Sequence, residues 1–101
     1  MRFPWQSRQN ESTNMAIGFP NRSRSYDATR HAVHFWGHDR SMESSFYVSM
    51  DALKRLQPDL EPVEASILQA FDRHMDRIHE IAARIYARGR RGSYDLNAGD
   101  I

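Results

Sequence analysis

The sequence predicts an α+β fold: an antiparallel sheet of three to four strands including a central hairpin, packed against one long C-terminal helix, plus one short helix. Three observations carry that expectation. Between Val33 and Ser49 apolar and polar side chains alternate on either side of a short polar turn. Between Val63 and Arg88 apolar side chains recur at spacings of three and four, the period of a helix face. Pro58 and Pro62 separate the two regimes. A chain of 101 residues supports one domain, placed here at residues 15–101 behind a disordered tail of residues 1–14.

The elements follow in chain order. Residues 1–14 are rich in Gln, Asn, Ser, Thr and Arg and show no periodicity, although Phe3 and Trp5 lie within them. Met15, Ile17 and Phe19 alternate as a short strand that stops at Pro20, and Pro20, Asn21, Ser23 and Ser25 mark a turn or loop. In the hairpin, Val33, Phe35, Phe46 and Val48 share the core face with Gly37 on their parity, and His34, Trp36 and His38 take the opposite face. His38-Asp39-Arg40-Ser41 is the turn. Ser49 is placed to cap a helix from Met50 to Leu56 that ends before Pro58.

The strongest signal is the stripe Leu68, Phe71, Met75, Ile78, Ala82, Ile85, widened by Ile67, His74 and Ile81. At 1.5 Å per residue, its roughly 25 residues form a rod of about 38 Å. Asp72, Arg73, Asp76, Arg77, Glu80 and Arg84 form its solvated face, with opposite charges at helical spacings. Gly89 and Gly92 stop the helix, and Ser93 to Leu96 add an edge strand.

Composition bounds the chemistry. The chain has no cysteine, which excludes thiol catalysis, disulfides and thiolate zinc sites. No apolar run reaches the roughly 20 residues of a membrane helix, and the opening MRFPWQSRQNESTN has no apolar signal region, so a cytoplasmic protein without membrane contact is expected. Lys+Arg number 14 against 13 Asp+Glu, a balance that belongs to a soluble globular chain. Lys54 is the one lysine, so the cations are almost all arginine, which suits planar partners such as carboxylate and phosphate.

The runs FPNRSRSYDATRHAVHFWGHD, SFYVSMDAL and AFDRHMDRIHEIAARIYARGRRGSYDL occur in order from about Ile17 to Ile101. Together they resemble the bacterial domain-of-unknown-function 1488 family (DUF1488). The resemblance implies small cytoplasmic bacterial proteins of α+β type. It implies no activity and supplies no catalytic residues. One departure is M-E-S-S-F before Phe46, where a more apolar approach is expected, and it leaves the start of that strand open.

Two constellations are candidates for function. The first gathers Tyr26, Asp27, His34, Trp36 and His38 around the hairpin. His34 and His38 share a face but lie about 13 Å apart in an extended strand, too far for one metal ion. His74 and His79, five residues apart, fall on different helix faces, so no metal or cofactor is expected. Asp27 beside His34 would form an acid–base pair if the loop folds back, whereas an Asx-type bond within its own turn is the simpler role, as it is for Asp39. No nucleophile stands at a defined spacing from a base, and no glycine-rich phosphate loop exists.

The second constellation is Arg84, Arg88, Arg90 and Arg91 with Tyr86 and Tyr94, where the long helix ends. Arginines there complement the helix dipole by about 0.3–1 kcal/mol each, and four beside aromatics also suit phosphate or an acidic partner. The primary expectation is a non-enzymatic binding module with a protein partner, or a homodimer burying the helix stripe. The alternative is nucleic-acid or polyanion binding through the arginines, and a weaker third is an enzyme or metal site at the hairpin.

Overall fold

The computed structural model describes residues 17–89 and 91–101. The tail expected over residues 1–14 lies outside them, as do Met15 and Arg90. Four strands, β1 (Arg24–Asp27), β2 (Ala32–Asp39), β3 (Met42–Ser49) and β4 (Ser93–Leu96), lie side by side in chain order. Between β3 and β4 run α1 (Met50–Leu56), α2 (Glu64–Arg73) and α3 (Met75–Ala87). A short 3-10 turn at Ala98–Asp100 follows β4.

Side-chain alternation builds the core. Val33 stands opposite Val48 and Phe35 opposite Phe46, while Tyr94 and Leu96 line up with Phe46 and Val48 on the next strand. All six are buried in one cluster with Leu53, Ile67, Phe71, Ile78, Ile81 and Ala82 from the helices. The hairpin turn is two residues, Arg40 and Ser41, so β3 begins at Met42, directly after it. The polar run Glu43-Ser44-Ser45 therefore belongs to the strand. Gly37 falls on the core side because a Cβ there would stand 2.8–2.9 Å from Phe19, Ile17 and Phe46.

Two expectations change. The sheet is mixed: β1–β2 and β2–β3 pair antiparallel, but β4 pairs parallel to β3. The helices carry the chain back to the starting end of β3, so β4 enters in the same direction, as a crossover connection requires. The expected single helix over Val63–Arg88 is two helices divided at His74, whose φ of −106° and ψ of 19° leave the α-region. Bonds from His74 N to Ala70 O and from Ile78 N to His74 O still span the division. The His74 imidazole meets Gln57 Oε1 at 3.3 Å, so a side-chain contact beyond the helix accompanies the bend. The stripe on these helices is buried in the chain's own core, with Leu68 and Ile85 half-buried, and leaves no seam for a partner helix.

The loop expected at Pro20 is present. Gly18 and His38 exchange backbone bonds of 2.8 Å in both directions, and Arg24 pairs with Phe35 further along β2. The short strand expected at Met15–Phe19 is, within the described residues, the single bridge of Gly18 to His38, and Pro20–Ser23 is a loop that leads into β1. Asn21 Oδ1 accepts from Ser23 N within it. Arg24 leaves β1 to make a bidentate pair with Asp72 of α2, at 2.9 and 2.7 Å. The pair ties β1 to α2, with Asp72 still exposed on its helix face.

Candidate binding surfaces

The uncovered face of the sheet carries most of the hairpin constellation. His34 and Tyr47 are cross-strand partners, so their rings stack at 4.4 Å, and Trp36 lies 4.2 Å from His34 on the other side. Ser45, the partner of Trp36, shares a 3.0 Å hydrogen bond with His34 Nε2. The Arg30 guanidinium sits 4.2 Å above the Tyr47 ring. The result is a continuous half-buried platform of three rings and an arginine. Burial pushes the His34 imidazole below its usual pKa, and the Arg30 charge works the same way against the carboxylates of Asp27 and Glu43.

Around the platform the charges are unequal. Among the described residues, Asp27, Glu43 and Asp95 share the face by strand parity, and Arg30 is the one arginine seen over its rings. His38 lies beside Glu43 at 3.4 Å. Asp27 closes its own loop, accepting from Arg30 N at 3.1 Å and facing Arg30 Nε at 3.5 Å, so it does not serve as a hydrogen-bonded partner of His34. Tyr26 pairs with Val33 and points to the core side, apart from the four residues it was grouped with. Asp39 reaches away from its turn and accepts the Tyr86 hydroxyl at 2.6 Å, tying the hairpin to α3.

The arginine constellation is also divided. Tyr94 is 1% exposed, stacked on Phe46 at 4.9 Å and tilted against Tyr86 at 5.4 Å, with its Oη accepting from Arg91 N. Its ring therefore has no surface to offer a partner, because Tyr94 is an inward residue of β4. Arg84, Arg88 and Arg91 are exposed, and the side chain of Arg90 is outside the described residues. Arg77 pairs with Glu80 at 2.7 Å on the solvated helix face.

Arg84 and Arg88 line a groove of about 800 Å³ between residues 17–19 and α3. Ile17, Phe19, Ala83 and Ala87 form its apolar walls. His79 projects into it, stacked on Phe19 with ring centroids 4.2 Å apart, and burial pushes its imidazole below the usual pKa against the pull of Asp76. Sequence reasoning missed this groove. Its one visible signal is that Ala83 and Ala87 repeat at i,i+4, a flat strip on a helix otherwise lined by charge. Among the described residues, no three His, Asp or Glu side chains stand close enough to hold a metal ion, and no helix is long and apolar enough to cross a membrane.

The comparisons with known proteins bear on the fold. Residues 17–97 match the model of a family described as protein of unknown function (DUF1488). A crystal structure of a protein of unknown function from the same family in Shewanella loihica PV-4 superposes with a TM-score of 0.71. It is 19% identical, over 80% of this chain and 91% of that one. No curated protein matches.

Proposed function

The chain belongs to the DUF1488 family of proteins of unknown function, and we propose that it acts as a binding module that docks a partner protein on the open face of its sheet. The observation that carries the reading is the His34–Trp36–Tyr47 platform with Arg30 above it, on the face that the core leaves uncovered. Trp, Tyr and Arg at the centre of a polar-rimmed patch are the residue types that dominate protein–protein affinity. The serines around them, Ser25, Ser45 and Ser93, leave the rings accessible.

Charge selects among partners. Three carboxylates against one arginine repel a polyanion, and a second copy would bring like charges together. A partner with a basic rim fits. Capture from the native host tests this: Trp36→Ala should lose a partner that the wild type retains, at an unchanged fold by circular dichroism. Equal recovery by both would count against the platform. The bacterial, cytoplasmic setting expected from the sequence belongs to the same proposal.

The alternative, a polyanion held by arginines, is favoured by the exposure of Arg84, Arg88 and Arg91 near one end of α3. Its affinity would fall steeply with salt and would be lost in the Arg84/Arg88/Arg91→Ala variant.

A further inference from the structure

α3 turns one side to the core and, beside it, a strip to the groove. The groove follows the helix from Asp76 to Arg88, about 18 Å at 1.5 Å per residue. Its volume of about 800 Å³ lies within the roughly 300–1,000 Å³ of small-molecule sites. Phe19 and His79 close one side of it as a stacked pair. Phe19 also packs on Phe35 and Phe46, and His79 on Phe35 and Phe71, so neither ring is free to swing in and fill the space. On the helix, Ala83 and Ala87 have no side chain long enough to fill it.

The two ends carry opposite charge. Toward the start of α3 stand Asp76 and Glu80, with Glu80 held by Arg77 at 2.7 Å. Toward its end stand Arg84 and Arg88, both exposed, and among the described residues neither has an ion-pair partner. The helix dipole accounts for cations at that end, but not for a pair of them bordering an apolar groove. At i and i+4 their Cβ atoms are about 5–6 Å apart, close enough for both guanidinium groups to grip one carboxylate. The acidic end repels a second carboxylate.

We propose that the groove is a binding site for a small amphipathic monocarboxylate, a free acid with a medium-length alkyl chain. Its carboxylate pairs with Arg84 and Arg88, and its chain lies along Ala87 and Ala83 toward the Phe19–His79 pair. The charge at each end fixes the orientation, and the apolar walls between them supply affinity in proportion to the chain they cover. A polyanion fits this layout poorly, because it would leave the apolar centre empty and meet Asp76 and Glu80. The site lies on the helix side of the sheet and does not rest on the platform of the open face.

The test is titration of the full chain with hexanoate, octanoate and decanoate, followed by NMR. Amide shifts should centre on Phe19, Ala83, Ala87 and Arg88, and affinity should rise about fourfold for each added CH₂. Decanol with the wild type, and decanoate with the Arg84→Gln/Arg88→Gln variant, should each bind about tenfold more weakly than decanoate with the wild type. Decanedioate should also bind more weakly, because its second carboxylate meets Asp76 and Glu80. Ala87→Trp, at an exposed position, should block decanoate while the protein keeps its melting temperature. Equal affinity for decanoate and decanol would overturn the proposal, as would affinity that does not change with chain length. Shifts centred on Trp36 and Tyr47 would also overturn it, by placing the ligand on the open face. An oligonucleotide duplex that binds through Arg84 and Arg88 when decanoate does not would assign the arginines to a polyanion instead.

Discussion

Gly37 and His79 show what single side chains contribute around the edge segment. At Gly37 a methyl would meet Phe19, Ile17 and Phe46 at 2.8–2.9 Å, and two of those contacts lie inside the core. Gly37→Ala should therefore destabilise by about 1–3 kcal/mol in urea unfolding, as overpacking does. An unchanged midpoint would show that the 17–19 segment shifts aside freely. His79 sets a pH dependence. Its folded pKa is pushed down by burial, so the unfolded chain binds the proton more readily near its ordinary value of about 6.5. The stability it contributes is complete above that value and is lost as pH falls through the window beneath it. Comparing unfolding at pH 7.5 and 5.5, His79→Phe should flatten part of the wild-type loss while keeping the ring stacked on Phe19. Parallel losses in both proteins would place the titration elsewhere. The parity of the β2 residues was legible in the sequence, including Gly37 on the core side. The role of His79 was not, because its partner Phe19 lies 60 residues away in the chain.

Among the elements, the hairpin and α1 were the most legible, because local rules define both. A two-residue turn fixes the register of β2 on β3, and Ser49 Oγ accepts from Ala52 N at 3.1 Å at the start of α1. Ser49→Ala should cost about 1 kcal/mol of stability, read as a lower urea midpoint, and no change would mean that tertiary packing alone holds the helix. The division of the long helix at His74 had no local signature. No Pro or Gly lies between Glu64 and Ala87, and the bend accompanies a contact with Gln57 before α2. The helix stripe read from the sequence was correct in period. Its function is to cover the sheet, so the exposed face of α3 is the charged side, with Ala87 exposed and Ala83 buried beneath it.

For the whole molecule, the sheet faces two ways. One face and the helices form a single buried cluster, and the other presents rings, serines and carboxylates. The sequence separated these faces within the hairpin but gave no sign that β4 lies parallel to β3. Strand direction there depends on which end the intervening helices return to, and no local pattern encodes that. The proposed docking face is the side of the sheet turned away from the helices, and Ser93 probes it without touching the core. Ser93 is exposed on β4 opposite Ser45, next to Trp36 on the open face. The most direct measurement is the affinity of the captured partner for wild type and for Ser93→Arg. A contact centred on the platform predicts about thirtyfold or greater weakening, the scale of a disrupted hot spot, at an unchanged melting temperature. Equal affinity in the two proteins would contradict it.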